Sequence, residues 1–159
     1  MPAEDSAKTV LLKDLKALLA RVTEHYDITP QEIAGLMQDD DIPIDAFSKE
    51  LTVLETATKY LHENKNKTFA QISRSIGKDQ RSVRIAYMRA AAKNPTKIVA
   101  VSEEAIPSAV FSNNLSPLEA VVLRLRETGY NVRRIAQIIC RSENTVRTII
   151  RRVGVKLHA

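Results

Sequence analysis

The sequence is poor in the residues that a turn-rich or disulfide-bonded fold requires. It has four glycines, one cysteine and no tryptophan among 159 residues. So few glycines argue against a glycine-rich phosphate loop and against a fold dense in tight turns. A lone cysteine, Cys140, cannot form an internal disulfide, so nothing indicates an oxidising compartment.

Long apolar runs are also missing. None reaches the roughly 18 residues that a membrane span needs, and the first ten residues lack the basic-then-apolar order of a signal peptide. We therefore expect a soluble, cytoplasmic protein with no membrane partner.

Residues that support catalysis or metal binding are sparse. The histidines at positions 25, 62 and 158 are scattered, and no cysteine or carboxylate lies at metal-ligand spacing from them. No motif combines a nucleophile, a base and an orienting group. We therefore expect neither an enzyme nor a cofactor.

The residues that are abundant favour helices, and the charge is unevenly distributed. Alanine, leucine, arginine, lysine and glutamate dominate the composition. Residues 1–41 carry four basic and nine acidic side chains, residues 42–105 eleven and seven, and residues 106–159 nine and three. This gradient favours a polyanion partner for the last two-thirds of the chain, although a solvated basic surface would have the same composition.

The clearest pattern is an internal repeat. Residues 42–89 and 106–152 align with one deletion in the second copy, agree at fourteen positions and share an IPxxxFS opening. Most of the shared positions are apolar, with the spacing of three successive helices. We expect Phe47 and Phe111, from the shared opening, to insert into the cores of the repeats.

Capping residues mark where each predicted helix begins. The first helix of each repeat begins with a capping box, Thr52-Val-Leu-Glu55 or Ser116-Pro-Leu-Glu119. Only a few residues separate the second helix from the third, and Cys140 occupies the turn position of Gly77. Each copy therefore predicts a helix-turn-helix. The remaining helices are expected to begin after Thr68, Asp79, Asn131 and Ser142.

The first 41 residues predict an acidic helical segment. Leucines give its first helix a wide apolar face, suited either to packing on the repeats or to forming a homodimer. A weak match to the repeats raises the alternative of a degenerate third copy, in which Thr29-Pro-Gln-Glu32 begins a second helix with Ile33 and Met37 buried. Because Gln38-Asp-Asp-Asp41 stands where the third helix would follow, we expect no cationic helix there. The leucines of the apolar face are Leu11, Leu15, Leu18 and Leu19.

The segment RSENTVRTIIRRV (141–153) separates into two faces on a helix. The apolar stripe consists of Val146, Ile149, Ile150 and Val153. The opposite face consists of Asn144, Arg147, Thr148 and Arg151. Asparagine and arginine suit adenine and guanine edges in the major groove, which the second helix of a helix-turn-helix enters. We therefore interpret this segment as a recognition helix; the alternative is an exposed basic helix without a partner.

Residues 115–153 resemble the DNA-binding modules of LuxR-type regulators and of sigma-factor region 4. The likeness lies in the opening LSPLE, the middle IAQII and the segment SENTVR, and residues 51–90 match more loosely. The resemblance implies that the helix beginning at SENTV reads promoter DNA. Two departures stand out. The GVKLHA that follows is too short for the fourth helix through which LuxR-type modules pair, and no segment resembles the promoter-melting regions of a sigma factor.

The residues expected to contact DNA form two groups. Those expected to read bases are Glu143, Asn144, Arg147, Thr148 and Arg151 in the second repeat, and Gln80, Arg81 and Arg84 in the first. Those expected to contact phosphates, which give affinity without sequence preference, are Arg133, Arg134, Arg141, Lys65, Lys67, Arg74 and Lys78. The outward face of the first repeat also includes Ile85 and Met88, so that helix either reads thymine methyls or binds a protein.

The sequence thus predicts an all-α protein: an N-terminal helical segment (1–41) and two tandem helix-turn-helix repeats (42–93 and 106–159) joined by a linker (94–105). The predicted function is sequence-specific binding of double-stranded DNA by a nucleoid-associated transcription regulator. One alternative is an adaptor that docks on RNA polymerase or another transcription protein. Another is a DNA-binding role in replication, partition or packaging.

Overall fold

A computed structural model describes residues 2–29 and 40–158, with side chains from residue 5 onwards. The chain divides into two compact units, residues 1–39 and 40–159. The described part is mostly helical, which confirms the predicted all-α class. The helices are α1 (Pro2–Tyr26), α2 (Val53–Glu63), α3 (Phe69–Ile76), α4 (Gln80–Lys93), α5 (Pro117–Glu127), α6 (Val132–Ile139) and α7 (Glu143–Leu157). No helix in this part is long and apolar enough to cross a membrane.

In the described part of the first unit, residues 2–29, there is one helix, α1. At 25 residues, α1 is more than twice as long as α2 or α5, each of 11 residues. Three leucines of its apolar face are exposed, with Leu11 and Leu18 at 68% and 56%, and Leu19 is half-buried. The second helix of the suggested third copy, including Ile33 and Met37, lies outside the described residues, as do Gln38 and Asp39.

In the second unit, local capping chemistry sets the helix starts. Thr52 Oγ1 accepts from Glu55 N at 3.2 Å, and Glu55 Oε2 accepts from Thr52 N at 3.1 Å, which completes a capping box. Ser116 and Glu119 form the same reciprocal pair, with Pro117 at the first helical position. A side-chain cap of this kind is worth about 1 kcal/mol. The other predicted caps are also present, at Thr68, Asp79, Asn131 and Ser142.

Two equivalent tight turns join α3 to α4 and α6 to α7. Gly77 and Cys140 cap the preceding helices with left-handed backbones, at φ 66° and 53°. This confirms that Cys140 takes the place of Gly77. The glycine is required for space as well, because a Cβ there would lie 2.9 Å from Cα and Cβ of Ser112.

Both repeats share one hydrophobic core. Helix α2 packs on α5. A short antiparallel ribbon joins the IPxxxFS segments that open the two repeats, by pairing β1 (Asp41–Pro43) with β2 (Ala105–Pro107). A 3-10 turn follows each strand, at Ile44–Ala46 and Ser108–Ser112. Phe47 and Phe111 are buried as expected, but they belong to this common core and not to two separate ones.

The segment expected to be a linker, 94–105, packs against the rest of the second unit. Helix α4 ends at Lys93, as the Asn94-Pro95 break predicts. Beyond it, Ile98 is buried, and its carbonyl accepts from Asn64 Nδ2 at 2.9 Å. The Asp45 carboxylate accepts from the backbone of residues 101 and 102 at 2.8 and 3.2 Å. This segment is therefore held at several points and does not act as a free tether between the repeats.

Candidate nucleic-acid interface

Helix α7 has the two faces that its sequence predicts. Val146, Ile149 and Val153 are at most 4% exposed and belong to the core, and Ile150 is half-buried against it. The Ser142 hydroxyl accepts from Thr145 N at 3.2 Å and so fixes where the helix begins. The opposite face is in solvent: Asn144, Arg147, Thr148 and Arg151 are all exposed.

Arg147, in the middle of this face, makes only weak contacts with its neighbours. Arg147 Nη2 donates to Glu143 Oε2 at 2.9 Å, and Nη1 lies 3.4 Å from Asn144 Oδ1. An exposed i,i+4 ion pair is worth about 0.3–0.5 kcal/mol, whereas a bidentate contact to a base discriminates by about 1–3 kcal/mol. A base edge could therefore replace the Glu143 contact at little cost. Glu143 itself is half-buried, so it is the least available of the five residues expected to read bases.

Helix α4 presents the equivalent face in the first repeat. Gln80, Arg81 and Arg84 are exposed, while Val83 on the opposite side is fully buried. The same outward surface carries two apolar side chains, Ile85 and Met88, which are 41% and 61% exposed. The face is thus less polar than that of α7, as its sequence predicts.

The N-cap of α4 is an exposed carboxylate. Asp79 accepts from the Ser82 hydroxyl at 2.5 Å and from Ser82 N at 2.9 Å. These hydrogen bonds, chiefly that from the hydroxyl, lower the pKa of Asp79. The cap therefore stays charged at neutral pH, next to the face that Gln80 and Arg81 begin.

The residues expected to contact phosphates differ in how accessible they are. Arg74, Arg133 and Arg134 are exposed, whereas Lys65, Lys78 and Arg141 are half-buried. The Arg141 guanidinium donates to the carbonyl of Cys140 at 3.1 Å, so it lies against the turn that precedes α7.

Lys67 departs from the expected phosphate contact. Its Nζ lies 2.9 Å from Asp40 Oδ1, and the two side chains are only 17% and 14% exposed. Asp40 also accepts from the Ser75 hydroxyl at 2.8 Å. Lys67 therefore has a half-buried carboxylate partner, because the chain folds Asp40 against it from a distant point in the sequence.

An ion pair that the sequence analysis missed joins the first helix of each repeat to the end of the third. Lys93 Nζ lies 2.9 Å from Glu55 Oε2, and Lys156 Nζ lies 2.8 Å from Glu119 Oε2. Both carboxylates are buried and are also the acceptors of the capping boxes. Lys93 and Lys156 are equivalent residues four positions beyond the end of the repeat alignment, so extending the alignment would have found them. We call this arrangement the capping-box clamp.

The hydrogen bond from Lys156 makes the Glu119 carboxyl group of the second clamp more acidic. Together with the capping hydrogen bonds it lowers the pKa of Glu119, against the opposing effect of burial. Glu119 therefore remains ionised inside the repeat and ties the C-terminal part of α7 to α5.

A buried lysine distinguishes the first repeat from the second. Lys59 is fully buried, and its Nζ donates to both oxygens of Glu63 at 2.8 and 2.7 Å. Tyr87 donates to the same carboxylate at 3.2 Å, and burial with this hydrogen bond raises the pKa of Tyr87. In the second repeat Leu123 and Ile150 stand at the positions of Lys59 and Tyr87, and they line an open apolar groove of about 180 Å³. Nothing in the periodicity separates this lysine from an exposed one.

The part of the chain that the structure describes contains no group of three or more His, Cys, Asp or Glu residues arranged to hold a metal ion. No family model, no curated protein and no solved structure matches this chain. The resemblance to sigma-factor region 4 and LuxR-type modules therefore stays a prediction from the residues.

Proposed function

We propose that this chain binds double-stranded DNA in a sequence-specific manner and regulates transcription, with residues 42–93 and 106–159 each acting as a helix-turn-helix. In this proposal α4 and α7 are the recognition helices. The α7 face supplies the main base contacts, and exposed arginines near the start of α6 contact phosphates.

The observation that carries the proposal is the division of α7 into a core stripe and a solvent face. The solvent face presents an amide, a hydroxyl and two guanidinium groups on successive turns, after a tight turn at Cys140 that separates α6 from α7. Those side-chain types match the donor and acceptor patterns of the major groove. The capping-box clamp supports the proposal, because it anchors the helix at the end away from the turn and leaves the solvent face free.

Phosphate contacts would supply most of the affinity. Arg133 and Arg134 are exposed in the first turn of α6, whose predicted cap is the side chain of Asn131. Each neutralised phosphate releases counterions, so binding weakens steeply as salt increases. A protein partner held by apolar contacts would show no such slope.

A second function is favoured by one specific observation. Ile85 and Met88 are exposed on the recognition face of α4, where α7 has Thr148 and Arg151. Exposed apolar side chains at such positions suit a protein surface as well as thymine methyl groups. The alternative is therefore an adaptor, in which the first repeat docks on RNA polymerase or another transcription protein.

The test compares two exposed arginines in the full chain. Duplexes bound from a random pool give the preferred sequence, and fluorescence anisotropy then gives Kd for that duplex and its single-base variants over a range of salt. Arg147→Ala should cost about 1–3 kcal/mol and relax the preference at one base pair. Its matched control, Arg133→Ala, should weaken all duplexes equally and reduce the salt slope by about one.

Two results would contradict the proposal. An absence of any enriched sequence, together with weak binding to all duplexes at low salt, would refute DNA recognition. If Arg147→Ala and Arg133→Ala both scaled the affinity uniformly, α7 would not be the base-reading element. A separate variant pair, Ile85→Ser and Met88→Ser, tests the adaptor, which requires loss of binding to RNA polymerase with DNA affinity unchanged.

A further inference from the structure

The ribbon that joins the two repeats has local two-fold symmetry. Ile42 pairs with Ile106, and these are equivalent positions in the repeat alignment. On either side Asp41 pairs with Pro107 and Pro43 with Ala105. Position 41 is equivalent to 105 and position 43 to 107, so the pairing is unchanged when the repeats exchange places. An axis through the central pair relates the two openings.

The contacts beyond the ribbon are also exchanged between the repeats. The 3-10 turn Ser108–Ser112 of the second repeat packs on α3 of the first, where the hydroxyls of Ser75 and Ser108 are 2.5 Å apart. The positions equivalent to these two serines are Ile138 and Ile44, and both line one small cavity between the first opening and α6. The second opening therefore packs on α3 of the first repeat, and the first opening faces α6 of the second repeat across that cavity.

The two tight turns take part in the same exchange. Gly77 lies against Ser112, from the opening of the second repeat. At the equivalent turn, the Cys140 thiol lies 3.8 Å from the carbonyl oxygen of Phe47, from the opening of the first. Helices α2 and α5, which are equivalent, also pack on each other. The interface thus uses the same surface of both repeats, as in an isologous dimer, but within one chain.

From these contacts we infer that α4 and α7 are related by the same approximate two-fold axis and bind one asymmetric inverted DNA site, whose two half-sites have opposite orientations and different sequences. The inference rests on the proposed DNA binding. A two-fold axis reverses the direction of the recognition helix between half-sites, and operator symmetry follows protein symmetry. The half-sites differ because Gln80, Arg81 and Arg84 stand where the second repeat has Glu143, Asn144 and Arg147.

The shared core also makes the spacing between half-sites rigid. Two modules on a flexible tether would tolerate several separations, because only the reach of the tether limits them. Here the repeats share buried residues and an exchanged interface, and the connecting segment is pinned by Asp45 and Asn64. A change of half a helical turn between the half-sites would place the second one on the opposite side of the duplex.

The experiment measures the affinity of the full chain for four duplexes that are made from the site selected in a random pool. The first two carry the half-sites in inverted and in direct orientation. The third is the inverted arrangement with five base pairs inserted between the half-sites, and the fourth carries one half-site alone. We expect the inverted duplex to bind at least tenfold more tightly than the other three, which should resemble one another. Equal affinity for the direct arrangement, or for the duplex with the insertion, would overturn the inference while leaving DNA binding intact.

Matched variants assign the half-sites. Arg84 and Arg147 are equivalent, so Arg84→Ala should relax preference within one half-site and Arg147→Ala within the other. Relaxation of the same half-site by both, or no effect of Arg84→Ala, would overturn the two-fold arrangement. Failure to bind any duplex would instead refute the proposed function itself.

Discussion

Removing the lysine of the second capping-box clamp should destabilise the protein without changing the solvent face of α7. Lys156 Nζ donates to both oxygens of Glu119, at 3.0 and 2.8 Å, and the Glu119 side chain is only 3% exposed. In Lys156→Met the carboxylate keeps its hydrogen bond from Ser116 N, at 3.0 Å. Its nearest other cation is Arg152, whose Nη1 lies 3.9 Å away.

The expected loss of stability depends on how far the Glu119 carboxylate is left without a partner and without water. Removing one partner of a fully buried ion pair costs about 3–5 kcal/mol. The cost here should be smaller, because Lys156 is 46% exposed and water can reach the carboxylate once the ammonium is gone. We expect a loss of roughly 1–3 kcal/mol in the free energy of unfolding. Lys97→Met, at an exposed lysine, serves as the control and should change stability by less than about 0.5 kcal/mol.

The pH dependence separates a lost ion pair from lost packing. The pKa of Glu119 is lowered in the folded protein, so its contribution is complete above the ordinary glutamate value of 4.5 and is lost as the pH falls through the folded pKa. Urea unfolding followed by circular dichroism should therefore show a difference between parent and Lys156→Met that is constant near neutral pH and shrinks below about pH 4.5. A difference that persisted unchanged to pH 3 would refute the electrostatic explanation.

Three further predictions follow from the packing of the second unit. Gly77→Ala should lose about 1–3 kcal/mol in urea titrations, because it adds a left-handed Cβ against Ser112. Cys140→Gly at the equivalent turn should be neutral or stabilising by up to about 1 kcal/mol; a Gly77→Ala variant as stable as the parent would mean that the left-handed backbone and Ser112 impose no constraint at this turn. Val146→Asp should unfold the shared core, since it buries an unpaired carboxylate, while Arg151→Ala should leave Tm within about 2 °C in a thermal melt. Residues 106–159 expressed alone should lack a cooperative transition, because they lose the α2, α3 and β1 surfaces that cover Phe111, Ile106 and α5; a sharp independent melt would contradict the exchanged interface.

The exchanged interface changes how truncation experiments on this protein should be interpreted. A repeat that needs its partner's opening for its core cannot be treated as a module on a linker. Loss of the proposed DNA binding by residues 106–159 alone would report unfolding as readily as a missing half-site. Point variants in the full chain, such as Arg84→Ala and Arg147→Ala, avoid this ambiguity because both side chains are exposed.

The local features of this protein were determined by its sequence alone. Each helix of the repeats begins where a serine, threonine, asparagine or aspartate can accept from a free backbone N–H, and that requires only neighbouring residues. The core and solvent faces of α7 follow from the 3.6-residue period, so Val146 and Arg147 could be assigned without a structure. Extending the repeat alignment by four residues would also have revealed the equivalence of Lys93 and Lys156.

Tertiary structure alone decided which repeat covers which. Phe47 and Phe111 would be buried whether each IPxxxFS segment covered its own repeat or the other one. Hydrophobic burial does not depend on which of the two supplies the covering surface. Nothing in the period of the apolar residues says that β1 pairs with β2, that Ser112 lies on Gly77, or that Asp40 reaches Lys67. These contacts join residues far apart in the chain, and their free energy depends on the relative position of whole helices, which no local pattern encodes.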